Sequence, residues 1–388
     1  MEHIIHYDPG LPGDVPSPCF VVDTARLRGN LEILHEVQET SGAKILCALK
    51  GFAMHAVFPL MREYLAGITA SGPHEAQLGH DFFGKEVHVF AAAFSEADID
   101  AIAPLAHHVV FNSFGQWERH RERIRNAGRT ISCGLRVNPE YSEVEVALYD
   151  PCAPGSRLGI RREALEGKDL GGIEGLHFHT MCEQGAATLA RTLEHFEAKF
   201  GEFLPQMKWV NFGGGHHITA PQYDREHLVA LIRRFRHKWP HLQVYLEPGE
   251  AIAINTGVLV STVLDLFETP EGPMAILDVS ATCHMPDVLE MPYRPEIVGA
   301  AAPHEKAWTC SLGGQSCLAG DRIGRYSFDR PLEIGDRVTF LDMAHYTMVK
   351  TSTFNGIQHP HIATWDPAAG RLEVVRRFGY ADYRDRLS

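Results

Sequence analysis

The 388-residue sequence lacks several features that are typical of particular classes of protein. No apolar run reaches the roughly 18 residues that a membrane-spanning helix needs. The opening MEHIIHYDPGLPGDVP has no basic start followed by an apolar core, so we expect no secretory signal peptide. Positive charge is also scarce, since 36 Lys and Arg face 49 Asp and Glu, for a formal net charge of −13. Because acidic surfaces repel phosphate backbones and anionic lipids, we expect neither nucleic-acid binding nor membrane docking.

The eight cysteines are scattered along the chain, and no two of them form a CxxC pair. Disulfide frameworks and zinc ribbons both require closer spacing. We therefore expect reduced thiols, mostly buried, in a cytoplasmic protein. The composition of 45% hydrophobic and 22% charged residues is typical of globular proteins, and the length predicts two domains.

Short apolar runs alternate with amphipathic stretches between Ala43 and Glu250. The runs end in Gly, Pro, Ser, Asn or a polar side chain, as strands buried on both faces do. They are AKILCALK, GITAS, VHVFAAA, HVVFNS, ISCGLRVNP, GIEGLHFH, KWVNFGGG and LQVYLEPGE. FGQWERHRERIRNAG and YDREHLVALIRRFRHKW have helical spacing. Eight strands alternating with helices predict an α/β fold, a TIM-like (β/α)₈ barrel, which we place at residues 28–250.

The pattern changes after Glu250, where strand-like segments follow one another with few helices between them. These segments are TGVLVSTVLDLFE, GPMAILDVS, KAWTCSL, DRVTFLDM and RLEVVRRFG. They predict a mainly antiparallel β domain. The early run PCFVVD precedes the first helix and is assigned to the same domain, which then comprises residues 1–27 and 251–388.

The functional groups of a (β/α)₈ barrel gather at the carboxyl ends of its strands. This rule selects a set of polar or glycine positions that follow the apolar runs. They are Lys50, Ser71, Asn112, Arg136, His179, Gly213–Gly215 and Glu247.

Four of these positions suggest one chemistry together. Lys50 would be a desolvated amine suited to Schiff-base formation, or else a lysine extending from a strand end into solvent. Gly213–Gly215 would cradle a phosphate or make a tight turn. Glu247 could hold a protonated ring nitrogen or pair with an arginine, and His179 could stack on a planar cofactor or be structural. In combination they are the groups that hold pyridoxal phosphate on a barrel.

The chain resembles the fold-type III pyridoxal-phosphate decarboxylases, which combine an alanine-racemase-like barrel with a β domain. Within that family it is most similar to the members that act on carboxynorspermidine and carboxyspermidine. The resemblance runs nearly from end to end. It rests on the segments ALKGF, ASGPHEA, RVNP, SRLGI, HFHTMCE, FGGG, EPGE, GGQSCLAGD and FNG.

The resemblance implies a role for each cofactor contact. Lys50 would form the Schiff base with pyridoxal 5'-phosphate, His179 would face its ring, and Glu247 would pair with its pyridine nitrogen. The backbone of Gly213–Gly215 and the side chain of Tyr346, in AHYTM, would hold the phosphate.

The segment SCLAGD, with Cys317 and Asp321, matches the part of related decarboxylases that reaches into the partner subunit's active site. The resemblance therefore implies a homodimer with two shared sites. Cys317 would return a proton to the substrate carbon, whereas without the family context it would be a small buried hydrophobe. Asp321 would contact the substrate, and Arg136 would support the site near Lys50.

One position departs from the family pattern. Ornithine and diaminopimelate decarboxylases carry Arg after EPG, whereas this sequence has Glu250. An acid there favours a substrate amine and disfavours a second carboxylate, so it predicts a cationic carboxypolyamine as substrate. Asp287, in CHMPDVLEMPYRP, is a second acidic candidate, although both could be ordinary surface acids.

Three alternatives remain at this point. A decarboxylase of diaminopimelate or another basic amino acid would have the same fold. A metal-dependent barrel hydrolase is suggested by the 23 histidines and by the HFH triplet, His177 to His179. A cofactor carrier without turnover is the non-enzymatic alternative.

Overall fold

The computed structural model describes residues 4–388, so the assignment of residues 1–3 to the β domain lies outside the described residues. The chain forms two compact units. One comprises Asn30–Ile252, and the other comprises the described residues up to Gly29 together with Ala253–Ser388.

Residues 4–388 contain sixteen strands and twelve α-helices. The strands are β1 (Cys19–Asp23), β2 (Lys44–Ala48), β3 (Gly67–Ala70), β4 (Glu86–Phe90), β5 (His108–Phe111), β6 (Ser132–Arg136), β7 (Ile173–His177), β8 (Trp209–Asn211), β9 (Gln243–Leu246), β10 (Gly257–Thr269), β11 (Gly272–Leu277), β12 (Trp308–Gly313), β13 (Arg322–Phe328), β14 (Arg337–Leu341), β15 (His361–Asp366) and β16 (Arg371–Arg376). The helices are α1 (Thr24–Ser41), α2 (Phe58–Tyr64), α3 (Pro73–Leu78), α4 (Glu96–Ile102), α5 (Phe114–Arg125), α6 (Ala186–Phe200), α7 (Arg225–Lys238), α8 (Glu250–Ala253), α9 (Ala281–His284), α10 (Asp287–Glu290), α11 (Tyr346–Val349) and α12 (Tyr380–Arg384). A π-helix spans Gly79–Phe83, and 3₁₀ turns span His55–Val57, Ala147–Tyr149, Arg162–Leu165, Gly201–Gln206 and Phe354–Gly356.

Strands β2 to β9 form a closed barrel in which each strand is parallel to the next, and β9 pairs with β2 to close it. Seven of these strands lie within the apolar runs of the sequence, and β4 begins one residue before its run, so the predicted (β/α)₈ barrel is confirmed. Helices α5 and α7 lie within the two stretches with helical spacing.

The large indole of Trp209 packs inside the barrel in a cluster with Leu46, Val110 and Tyr245. A Cβ at Gly175 would lie 2.0 Å from Trp209 Cδ2, and one at Gly134 would lie 2.4 Å from Trp209 Cη2. Only glycine leaves room for the ring on these two neighbouring strands. The indole Nε1 donates a hydrogen bond to Ser132 Oγ at 2.8 Å. The ring therefore packs with its one polar atom satisfied.

A polar cluster lies where the barrel strands begin, at the end opposite the candidate site. Glu86 accepts hydrogen bonds from Lys44 Nζ and, at 3.2 Å, from the Tyr245 hydroxyl, and its Oε2 lies 3.0 Å from His88 Nε2. The ring of His108 stacks on that of His88, with centroids 3.9 Å apart. Burial, aided by the neighbouring His88, lowers the pKa of His108 from 6.5 to about 2. The folded protein therefore holds His108 as a neutral ring.

We expect this cluster to make stability depend on pH. In the unfolded chain His108 regains a pKa of about 6.5, so below that pH the unfolded chain binds one more proton than the folded one. The free energy of unfolding therefore falls as the pH drops through 6.5. In His108→Phe, which keeps a stacked ring, urea unfolding between pH 6.5 and 5 should show a pH slope shallower by about 1 kcal/mol per pH unit.

The exposed His237 on α7 provides the matched control for this measurement. His237→Phe should leave the wild-type slope unchanged, because that ring faces solvent. An unchanged slope in His108→Phe would contradict the prediction.

The other unit is built on one eight-stranded sheet in the order β13-β12-β11-β10-β1-β15-β16, with β14 also paired to β10. The early strand β1, which lies within the run PCFVVD, pairs with β10 on one side and β15 on the other. Five of the seven pairings are antiparallel, whereas β1–β15 and β11–β12 are parallel. The sheet is therefore mixed, with a mainly antiparallel character. Side chains of this sheet form a hydrophobic cluster that includes Val21, Val258 and Leu341.

Among residues 4–388, no helix is long and apolar enough to cross a membrane.

Candidate active site

A cavity of about 230 Å³ lies at the carboxyl ends of the barrel strands. Its lining includes Lys50, Ser71, Arg136, His179 and Glu247, five of the residues selected from the sequence. The structure therefore brings these five residues together, as the strand-end rule predicts.

Lys50 follows β2 in a turn in which Gly51 N–H donates to Ala48 O at 2.9 Å. Its Nζ lies 3.3 Å from His179 Nε2. The side chain retains accessible surface because it faces the cavity, yet protein surrounds it on the other sides. Burial therefore lowers the pKa of Lys50 and Arg136 lowers it further, against an opposing effect of Glu247. A lowered pKa makes more of the amine available as a nucleophile.

His179 is oriented by a backbone group. Its Nδ1 accepts a hydrogen bond from Gly214 N–H at 2.9 Å, which leaves Nε2 directed at Lys50. Burial and the charges of Lys50 and Arg136 lower the pKa of His179 well below 6.5. The ring is therefore neutral and fixed, and its proton lies on Nε2, the nitrogen that faces the amine.

The run Gly213–Gly215 packs against neighbouring backbone, which explains the choice of glycine. An added Cβ would lie 2.4 Å from Phe178 O at Gly213 and 2.0 Å from Met181 O at Gly215, and both glycines have a positive φ, of 76° and 80°. Gly213 N–H already donates to Asn211 Oδ1 at 2.8 Å. The run is therefore a tight turn that brings its backbone to the end of the barrel where the cavity lies.

Glu247 follows β9 and is buried, with a side-chain exposure of 10%. Its Oε1 lies 2.6 Å from His177 Nε2, an ion-pair distance that is not aligned with a ring N–H bond. Although burial raises the pKa of this carboxyl group, the contacts with His177, His179 and Thr69 together outweigh it, and the pKa lies well below 4.5. Glu247 is therefore a buried anion.

Arg136 ends β6 and is buried beside the cavity. Its Nη2 donates to His179 O at 3.0 Å, and its guanidinium lies 4.7 Å from the centroid of the Phe90 ring. Burial lowers the pKa of Arg136 to about 10, so the group stays charged at neutral pH. Through its hydrogen bond to the backbone carbonyl of His179, Arg136 helps to hold that residue in place.

Glu250 begins α8, and its side chain is 18% exposed. His217 Nε2 lies 3.1 Å from Glu250 Oε2. A Cβ at Gly51 would lie 2.9 Å from Glu250 N, so the backbone at Glu250 runs beside the turn that follows Lys50. This position is compatible with a substrate contact, although Glu250 is not among the residues that line the cavity.

The remaining predicted residues belong to the other unit. Asp321 is buried and accepts hydrogen bonds from Ser280 Oγ at 2.8 Å and from Ser316 N–H at 3.0 Å. Cys317 is exposed, and its N–H donates to Asn355 Oδ1 at 2.8 Å. Within this unit Asp321 therefore holds the loop that presents Cys317.

Asp287 and Tyr346 lie on short helices of the same unit. Asp287 begins α10 and forms an ion pair with Lys350 at 2.5 Å, and Glu290 pairs with the same ammonium group at 2.5 Å. The charge of Asp287 is therefore partly neutralised within the unit. Tyr346 begins α11 and is half-buried.

Several cavity residues were missed by sequence reasoning, among them Thr69, Phe90 and His177. For His177 a signal existed, because it lies two residues before His179 and side chains two apart on a strand share a face. Asn112, in contrast, was selected but does not line the cavity. It donates to Arg157 O and accepts from Gly159 N–H, both at 2.7 Å, and thus holds the loop after β6.

The side chains that have the spacing of metal ligands lie away from the cavity. Within residues 4–388, one group of side chains has the spacing of metal ligands, and it comprises Glu86, His88 and His108 at the opposite end of the barrel. At the cavity, His177 contacts Glu247 and His179 contacts Gly214.

Comparison with known proteins places the chain in a family. Residues 19–344 match the family described as pyridoxal-dependent decarboxylase, C-terminal sheet domain. The chain is 51% identical to carboxyaminopropylagmatine decarboxylase of Synechocystis sp., with 96% of each chain covered. It is 45% identical to carboxynorspermidine/carboxyspermidine decarboxylase of Campylobacter jejuni, over 95% of this chain and 98% of the relative.

Solved structures agree with this placement. Carboxynorspermidine decarboxylase from Campylobacter jejuni, complexed with norspermidine, has a TM-score of 0.89 at 44% identity, with 96% of this chain and 100% of that chain covered. Diaminopimelate decarboxylase from Helicobacter pylori has a TM-score of 0.79 at 17% identity, covering 96% and 97%, and shares the fold alone. The resemblance read from the sequence is confirmed, and the chain belongs to the pyridoxal-dependent decarboxylases, a family of carboxy-lyase enzymes.

Proposed function

We propose that the protein decarboxylates a carboxylated polyamine, a cation that carries one carboxylate, at the cavity around Lys50. The observation that carries this proposal is the set of Lys50, His179 and Glu247 around one cavity in a chain of this family. Two relatives named for the decarboxylation of carboxylated polyamines are 45% and 36% identical over nearly their whole length. The product of the proposed reaction is norspermidine or spermidine.

The cavity residues fit pyridoxal phosphate as the cofactor. Lys50 supplies an amine with a lowered pKa, and Glu247 supplies a buried anion able to keep a ring nitrogen protonated. The neutral ring of His179 is suited to lie against a planar group, with Gly213–Gly215 and Tyr346 proposed for the phosphate. When bound, the cofactor supplies the sink for the electron pair that remains after loss of carbon dioxide.

The chain's own groups handle the protons. Lys50 Nζ, facing the neutral His179, can accept a proton from the substrate amine. Cys317 is proposed as the acid that returns a proton to the substrate carbon, since a thiol can donate near neutral pH. Its exposure on a loop held by Asp321 is consistent with a site shared between subunits of a homodimer. We propose that this homodimer is cytoplasmic.

A second substrate of the same class is favoured by the Synechocystis relative, which is 51% identical and is named for carboxyaminopropylagmatine. The two candidates differ at the far end, where one has an ammonium group and the other a guanidinium group. A guanidinium binds a carboxylate through two parallel hydrogen bonds, whereas an ammonium is a point charge. Values of kcat/KM for carboxynorspermidine, carboxyspermidine and carboxyaminopropylagmatine, measured in direct competition, decide between them.

Glu250 is proposed as a contact for the cationic part of the substrate, with Asp287 and Asp321 as further acids. Glu250→Gln keeps the shape of the side chain and its ability to accept from His217 but removes the charge. We expect KM for a carboxypolyamine to rise about tenfold, the equivalent of about 1.4 kcal/mol, with a smaller change in kcat. Steady-state kinetics with the three carboxypolyamines measure this effect.

The exposed Glu118 on α5 is the matched control, and Glu118→Gln should leave KM unchanged. A KM that stays at the wild-type value in Glu250→Gln would remove Glu250 from the substrate site. It would leave the proposed reaction itself to be judged by the competition assay.

A further inference from the structure

His177 is a buried polar side chain with an unusual neighbour. It ends β7, is 2% exposed, and places its Nε2 2.6 Å from Glu247 Oε1. Phe90 packs against the ring edge to face, with centroids 5.5 Å apart. Neither ring nitrogen makes an aligned hydrogen bond within residues 4–388, so Glu247 is the polar contact of this imidazole there. A polar ring buried at such cost is expected to have a role.

The charges around Glu247 show what that role could be. The groups that affect its carboxylate are His177, His179, Lys50 and Arg136, together with a hydrogen bond from the Thr69 hydroxyl. His177 approaches this carboxylate to 2.6 Å, and its hydrogen-bond contact helps to keep the pKa of Glu247 low. His177 is therefore a neighbour well placed to orient the carboxylate.

The protonation state of His177 follows from its burial. Burial lowers the pKa of the ring, despite the opposing effect of Glu247, so the ring is neutral and carries one N–H. Nε2 is the nitrogen that faces the carboxylate, so the tautomer with its proton on Nε2 is the one that avoids two facing lone pairs. One oxygen of Glu247 is then engaged by the protein, while the carboxylate still lines the cavity.

We propose that His177 is a positioning residue that binds Oε1 of Glu247 and thereby directs the other oxygen, as an anion, to the pyridine nitrogen of the cofactor. This inference rests on the role proposed for Glu247 above. It is distinct from the roles of Lys50 and His179, because His177 acts through Glu247. An arrangement in which a histidine fixes a functional carboxylate is the counterpart of a carboxylate that fixes a functional histidine.

The first test measures the carboxylate itself. In the full-length protein labelled with ¹³C at glutamate side-chain carboxyl groups, the Glu247 signal is assigned by its loss in Glu247→Gln and followed against pH. We expect His177→Phe, or His177→Met as a second apolar variant, to raise the titration midpoint of Glu247 by at least one pH unit. His177→Gln retains an N–H donor and should show less than half of that rise. This readout needs no substrate, so it does not depend on the proposed reaction.

The second test separates positioning from packing by a double-mutant cycle. In the cofactor-loaded protein, His177→Phe should weaken pyridoxal-phosphate binding about tenfold, measured by absorbance titration, and Glu247→Gln should weaken it as well. If His177 acts through Glu247, adding His177→Phe to Glu247→Gln causes little further loss. An unchanged Glu247 midpoint in both apolar variants, or a tenfold loss that persists in the Glu247→Gln background, would overturn the proposal.

Discussion

Lys50→Ala is expected to lower the rate of decarboxylation by at least about 10³-fold, because the variant loses the amine that we propose both binds the cofactor covalently and transfers protons. Proton transfer by a positioned side chain alone contributes about 10²–10⁴-fold. The cavity around Lys50 holds Nζ 3.3 Å from a neutral His179 and lowers its pKa. No second lysine lines that cavity among the described residues, so no neighbouring amine can replace it. Release of ¹⁴CO₂ from labelled substrate measures the loss.

The absorbance of the purified protein provides a second measurement of the same variant. Wild-type protein should show a band of bound cofactor that borohydride bleaches and fixes to the chain, and Lys50→Ala should show no borohydride-fixed cofactor. Lys168→Ala, at an exposed lysine that pairs with the Phe114 ring, is the control and should behave as the wild type does. A fixed cofactor in Lys50→Ala would assign the covalent attachment to another residue.

Glu247→Gln should reduce kcat by about 10²–10³-fold, the size of effect seen when one preorganised electrostatic contact at a reacting centre is removed. The amide keeps the shape of the side chain but cannot hold a proton on a ring nitrogen as a buried anion does. Because Glu247 is proposed to contact the cofactor and not the substrate, KM should change much less than kcat. Stopped-flow and steady-state measurements at saturating cofactor separate the two constants.

Glu174 on β7 offers a matched control in the same barrel, since it pairs with Lys208 away from the cavity. Glu174→Gln should leave kcat at the wild-type value. If kcat for Glu247→Gln stays within about threefold of the wild type, the loss is far smaller than removal of such a contact causes. That result would show that the carboxylate is not needed at the ring.

Much of the fold could be predicted from the sequence because the barrel strands are short, buried on both faces and followed by residues that end strands, such as glycine and proline. Two strands of the sheet were not predicted. Strand β13 contains Gly324 and the exposed Arg322 and Arg325, which interrupt the apolar alternation, and it lies at the edge of the sheet. Strand β15, HIATWD, has no regular alternation of apolar and polar residues and is stabilised by its neighbours β1 and β16.

The candidate site could be predicted only in part, for a physical reason. The rule that functional groups follow barrel strands found Lys50, His179 and Glu247, because it depends on position along the chain. It could not find the contact between His177 and Glu247, since that contact crosses the barrel from β7 to the end of β9. Nor could it show that Asp321 is bound within its own loop.

The most direct test of the central claim is the release of carbon dioxide by the purified, cofactor-loaded protein from four substrates supplied at equal concentration: carboxynorspermidine, carboxyspermidine, diaminopimelate and ornithine. The two carboxypolyamines should be decarboxylated with values of kcat/KM at least about 100-fold above those of the amino acids, a difference of about 2.7 kcal/mol. Preferential decarboxylation of diaminopimelate or ornithine would contradict the account.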